Sequence, residues 1–150
     1  MLSVCVIASL AFAVRGEDFE WSGAITATGT IPAGRGSHTS VVYGDYMFVF
    51  GGSGSGNELK NDLHTLTLST NTWSGVLTTS GTAPTARGYH TSVVYGDYMF
   101  VFGGLGNLND LHKLNLTTNT WSGAITTTGT KPTARYAHTS VVHGDYMFVF

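Results

Sequence analysis

The string HTSVVYGDYMFVF fills residues 38–50 and again 90–102, and it returns over 138–150 with His143 in place of tyrosine. Trp21, Trp73 and Trp121 stand 52 and then 48 residues apart, and Arg35, Arg87 and Arg135 repeat the same steps. A period of this size marks a stacked architecture, in which one supersecondary unit cannot cover its own apolar faces and leans on the next. A residue that returns in register serves the scaffold first. A catalytic or ligand site is therefore to be sought where the repeat breaks.

One unit reads as four strands. His90–Val94 and Tyr98–Phe102 are short apolar runs rich in aromatic and β-branched residues, and Tyr95-Gly96-Asp97 between them reads as a tight hairpin turn. Gly103-Gly104 is expected to end the second strand with a sharp exit. Leu111, Leu114 and Leu116 anchor a third strand, and Trp121–Thr126 forms a fourth, mostly polar and the most exposed. The second strand is apolar on consecutive residues, which implies burial on both faces. The steps of 52 and 48 differ because GGSGSGNELKNDLH (51–64) is four residues longer than GGLGNLNDLH (103–112), an insertion confined to one loop.

The run PTARxxHTSVVYGDYMFVFGG followed by NDLHxLxLxTNTW resembles the kelch repeat, whose unit is a four-stranded blade of a β-propeller. The resemblance rests on Gly51-Gly52 and Gly103-Gly104, the Arg35/His38, Arg87/His90 and Arg135/His138 pairs, Asp62-Leu63, Asp110-Leu111 and the three tryptophans, and it covers nearly all of 21–150. The proline-bearing connectors (TGTIPAGR, SGTAPTAR, TGTKPTAR) are similar to those of kelch proteins with longer inter-blade loops. The expected fold is all-β: a partial kelch-type propeller of about three four-stranded antiparallel blades, the first and last incomplete, and not closed. Its parts are an outer strand at 21–26, repeats at 38–77 and 90–126, and a partial repeat at 138–150. Eleven strands fall one short of three blades, and the chain reads as part of a larger ring, since propellers close with about 4–8 blades. The uncovered terminal blades predict self-association.

Residues 1–16 differ in character. LSVCVIASLAFAV is apolar and small, too short for a span, and is followed by Arg15, Glu17, Asp18 and Glu20. It reads as a signal peptide ahead of a propeller segment at 17–150, placing the chain outside the cell; without such a leader it would be cytoplasmic. Cys5, the only cysteine, lies inside the leader. No membrane insertion of the mature chain is expected. Charged residues make up 11% and the net charge is −2 with scattered basic residues, so a nucleic-acid partner is not expected.

The six histidines do not read as a metal or catalytic cluster. His38, His90 and His138 are one position on three blades, and His64 and His112 are another on two. They are expected to hydrogen-bond an adjacent blade. The arginines are expected to tie connectors to neighbouring carbonyls, Asp45, Asp97 and Asp145 to sit in hairpin turns, and Asp62 and Asp110 to cap the loop before the third strand. Some kelch-like propellers are secreted copper oxidases, but that chemistry needs a cysteine-linked tyrosine that the segment after the leader cannot supply. No cofactor, metal or catalytic residue is expected. The chain reads as a protein-interaction scaffold. The alternative is a fragment of a secreted carbohydrate-active or oxidising enzyme whose catalytic residues lie elsewhere. The candidate partner-contact residues are Ser53, Ser55, Asn57, Glu58 and Lys60 in one loop and Asn107 and Asn109 in its counterpart, joined by the connectors 26–35 and 78–87. Asn115-Leu116-Thr117 is a glycosylation sequon, expected to be hindered by burial within the third strand.

Overall fold

The computed structural model describes residues 23–150 throughout and, before them, only the backbone of β1 (Leu10–Ala11), β2 (Val14–Arg15) and β3 (Glu20–Trp21). Most of the expected leader and the side chain of Trp21 lie outside the described residues. After β4 (Ile25–Thr26) and β5 (Thr28–Thr30) comes a first blade: β6 (Thr39–Tyr43), β7 (Tyr46–Ser53), β8 (Leu59–Thr67) and β9 (Thr72–Val76). β10 (Ser80–Thr82) leads to a second: β11 (Thr91–Tyr95), β12 (Tyr98–Gly104), β13 (Leu108–Asn115) and β14 (Thr120–Ala124). The hairpin β15 (Ser140–His143) and β16 (Tyr146–Val149) begins a third. Each full blade is an antiparallel meander, in the order expected.

Two features depart from the sequence reading. The expected outer strand at 21–26 is instead divided between two short ladders: β3 pairs with β2 and β4 with β1. The connectors, in turn, are not simply loops. β5 runs parallel to β9, and β10 runs parallel to β14, so each blade gains a fifth, outermost strand from the segment that precedes it. Gly29 and Gly81 make this possible, because a Cβ on either would sit on the carbonyl oxygen of Trp73 or Trp121. The fourth strand is thereby covered on its outer edge, and β14 alternates exposed and buried positions with Trp121 inward.

The core lies between the blades. Phe48, Phe50 and Leu63 on the forward face of the first pack against Met99, Val101, Leu114 and Trp121 on the rear face of the second, with the Phe50 and Trp121 ring centroids 5.0 Å apart. Burying each such side chain contributes about 1.5–3 kcal/mol. β7 is buried on both faces from Phe48 to Gly52. The same forward face on the last hairpin is open: Phe48 is 3% exposed, and its counterpart Phe148 is 53% exposed.

The glycine pairs do not end the second strands; β7 and β12 run through them with a bulge. Their small size is required by the neighbouring blade. Gly52 N donates to the Arg87 carbonyl at 2.8 Å, and a Cβ on Gly51 would stand 2.8 Å from that same oxygen. Gly103 and Gly104 meet Arg135 in the same way.

Candidate functional site

The antiparallel strands give the arc two ends. At one, the hairpin turns after β6, β11 and β15 lie beside the β8–β9 and β13–β14 turns; Leu68 N and Ser69 N both bond Asp45. At the other, the connectors meet the β7–β8 and β12–β13 loops.

Beneath the loop end lies a repeated ionic lattice. Arg35 Nη1 and Nη2 donate to the two Asp62 carboxylate oxygens at 2.5 and 2.9 Å, and Nη1 also donates to the Gly51 carbonyl at 3.0 Å. Arg87 does the same with Asp110, at 2.8 Å to each oxygen, and with Gly103 at 2.9 Å. His64 and His112 each donate from Nε2 to the same carboxylates at 2.9 and 2.8 Å. Asp62 and Asp110 therefore do not cap a loop; they neutralise guanidinium groups that are almost or wholly without solvent contact. Burial raises the Asp62 carboxyl, but hydrogen bonds from Arg35 and His64, with their charges, outweigh it and lower it to about 2. The same groups of the second blade hold Asp110 well below the ordinary carboxylate range. Arg135 is half-buried, and among the described residues its guanidinium bonds only Thr133.

Histidines and tyrosines bridge the blades. His90 Nε2 lies 2.8 Å from Thr39 Oγ1 and His138 Nε2 lies 2.9 Å from Thr91 Oγ1, each reaching back to the preceding blade. Desolvation, reinforced by Arg87 and the flanking histidines, lowers His90 to about 3, so its ring is neutral in the fold. At the turn end Tyr43 OH donates to Asp97 at 2.6 Å, and Tyr95 OH donates to Asp145. Most of these recurring groups are engaged with one another, while the Nδ1 atoms of His38, His64, His90, His112 and His138 are buried without a hydrogen-bond partner. Among the described residues no group of three or more His, Cys, Asp or Glu could hold a metal ion, and no helix is long and apolar enough to cross a membrane.

The candidate contact residues divide. Ser55, Asn57 and Glu58 are exposed, the first two within a 3₁₀ turn, and Asn107 and Asn109 are exposed in the second blade. Ser53 is instead held in β7 by paired backbone bonds with Gly36, and Lys60 lies in β8, its carbonyl accepting Arg87 N at 3.0 Å and its ammonium beside Glu58. Asn115 is the last residue of β13, half-buried at a turn, with Oδ1 accepting from Thr117 N and Oγ1 and from Thr118 N. It is less enclosed than a position inside the strand would be.

The sequence reading passed over the pair between each recurring Arg and His: Gly36-Ser37, Gly88-Tyr89 and Tyr136-Ala137. Ser37, Tyr89 and Ala137 all take left-handed backbone (φ 55, 59 and 54). Tyr89 N donates to the Ser37 carbonyl and Ala137 N to the Tyr89 carbonyl, both at 2.9 Å, which threads the three blades together at the loop end. The tyrosine rings of Tyr89 and Tyr136 meet edge-on at 6.3 Å and are exposed, near an exposed Leu105 whose N bonds the Gly88 carbonyl. The available signal was a variable dipeptide inside an otherwise repeated frame. A separate cleft of about 210 Å³ lies between the second blade and β16, lined by Phe102, Leu111, Ile125, Lys131, Met147 and Val149, and it carries no catalytic grouping.

Five-stranded blades stitched through Arg, Asp, His and paired glycines define a β-propeller arc of the kelch type. Residues 8–150 match the KLHDC2/KLHL20/DRC7 Kelch-repeats domain, and the chain belongs to the kelch-repeat family. It is 37% identical over 78 residues to human Kelch domain-containing protein 3, covering 51% of this chain and 20% of that one. It is 38% identical over 86 residues to mouse Kelch domain-containing protein 1, covering 57% and 21%. A further likeness, 39% identical over 85 residues, is to the Drosophila melanogaster Leucine-zipper-like transcriptional regulator 1 homolog, covering 57% and 8%. The matches thus span a fifth or less of these relatives' lengths, to within a percentage point. Among solved structures, YjhT overlays with a TM-score of 0.67 at 20% identity, over 92% of this chain and 50% of that chain, which shows the shared fold.

Proposed function

We propose that the chain is a non-catalytic protein-interaction scaffold that holds its partner at the loop end of the arc. Membership of the kelch family supports a scaffold, and one observation carries the choice of end: Tyr89 and Tyr136 stand exposed on a left-handed backbone ladder, beside Leu105 and the polar tips Ser55–Glu58 and Asn107. Tyrosines rimmed by polar groups are what protein interfaces enrich. Arg35, Arg87, Asp62, Asp110, His64, His90, His112 and His138 are engaged within and between blades, which supports a scaffold role for them over the enzyme alternative. Affinity capture compared across variants tests the reading. Partners should be lost with Y89S/Y136S and kept with Y46S at the turn end. The opposite pattern overturns the choice of end.

Export completes the reading. The apolar run 2–14 supports it, and exported protein should begin between Val14 and Glu17 by mass spectrometry. An intact Met1 on a cytosolic product overturns export and, with it, any glycan on Asn115.

A further inference from the structure

The sequon Asn115-Leu116-Thr117 is a motif that the scaffold does not account for, and it stands where the repeat breaks: the first blade carries Thr67-Leu68-Ser69 in the same place. Asn115 ends β13, opposite Tyr98 of β12 and Thr120 of β14. Its Oδ1 accepts from Thr117 N at 2.9 Å, from Thr117 Oγ1 at 2.6 Å and from Thr118 N at 3.0 Å. Its Nδ2 has no hydrogen-bond partner among the described residues and reaches solvent.

The turn has no use for that nitrogen. In the first blade the matching amide, Ser69 N, is held by the Asp45 carboxylate at 3.0 Å, so an acceptor oxygen is all that the turn requires. The opening around the position is not made by a missing neighbour. Thr67, opposite Tyr46 on the face that meets the complete second blade, is half-buried just as Asn115 is. Thr117 and Thr118 are exposed.

We propose, resting on the reading that the chain is exported, that Asn115 is the acceptor of an N-linked glycan. Transfer joins Nδ2 to the anomeric carbon of an oligosaccharide delivered as a lipid-linked diphosphate. The bond from that carbon to the diphosphate oxygen breaks, the diphosphate leaves with the electron pair, and an amide proton passes to a base of the transferase. The hydroxyl of Thr117 completes the recognised triplet. The fold accommodates the product because all three turn bonds end on Oδ1, whereas the sugar departs from Nδ2. The glycan is bulky and hydrophilic and belongs at a surface. It stands at the turn end of the second blade and leaves Tyr89 and Tyr136, at the loop end, uncovered.

Cell-free translation of the full chain with endoplasmic-reticulum microsomes tests the acceptor. One arm uses the chain's own N-terminus, and the other places the full chain behind a leader of proven import. Only protease-protected chain is scored, by the gel shift that peptide-N-glycosidase removes. One glycan is expected in both arms. N115D, which keeps the acceptor oxygen and with it the turn, should lose the shift completely, as should T117A, while T117S should retain it. In glycosylated protein secreted from insect cells behind the second leader, the Thr117 and Thr118 amides should exchange hydrogen as slowly as in unmodified protein from bacteria. Import and glycan in the second arm alone would remove export by residues 1–16 and still support the acceptor. Protected chain without a shift in that arm overturns the proposal. So does a shift that persists in N115D, or a glycosylated chain whose turn amides have lost their protection.

Discussion

Arg87 is the largest fully buried side chain, and its charge is tolerable only because Asp110 meets it with both oxygens while Gly103 takes a further proton donor. Removing one member of such a pair strands the other. Arg87→Ala should lower stability by about 3 kcal/mol in urea unfolding. Arg135→Ala should cost under about 1 kcal/mol, since among the described residues that guanidinium has no carboxylate and bonds only Thr133. Equal losses would show that the ion pair contributes nothing specific. The reach of His90 and His138 to the preceding blade was legible from their place at the start of an inner strand, whereas His64 and His112, expected to do the same, bond the aspartate two residues before them in their own strand. The Arg–Asp pairing was not legible: 23 and 27 residues separate the partners, and only the curl of the blade brings them together. The Tyr89–Tyr136 contact escaped for the opposite reason, because a frame of identical letters drew the eye from the two letters that change.

Strands with alternating or doubly apolar patterns were readable, and β6 to β9 and β11 to β14 lie close to where the patterns put them. β5 and β10 were not readable. Thr28–Thr30 and Ser80–Thr82 are three polar residues each, with no apolar side to report a sheet, and their partners lie about 40 residues further on. The glycine at the centre of each is the one local trace of the pairing. Gly81→Ala, with its Cβ driven into the Trp121 carbonyl, should detach β10 while β11 to β14 stay paired. Hydrogen exchange should then rise at Ser80–Thr82 and along β14, with β12 and β13 still protected. Loss of protection throughout the blade would show that the fifth strand is needed to form it.

Buried histidines and paired carboxylates are spread along the arc, and together they set its response to acid. Desolvation lowers His38, His90 and His138 from 6.5, with His90 reaching about 3. The unfolded chain therefore binds these protons first. Their contribution is complete above about pH 6.5 and declines as pH falls toward 3, by about 1.4 kcal/mol per unit for each full proton. Below 3.8 the paired Asp62 and Asp110 add their own loss, since their folded values lie under the ordinary carboxylate value. Melting temperature should fall steadily from pH 7 to 4 and then more steeply, and a flat profile between pH 7 and 5 would contradict the buried, neutral state of His90.

The parallel segments at the outer margin have an effect on what such a protein can aggregate into. A sheet ordinarily recruits strangers along its outermost strand, where backbone groups point outward unpaired. Here the incoming chain lies over that strand before the blade is finished, and offers in exchange a margin only three residues long. Lateral, amyloid-like growth is thus discouraged at the perimeter. A molecule built this way is poorly equipped to add neighbours sideways.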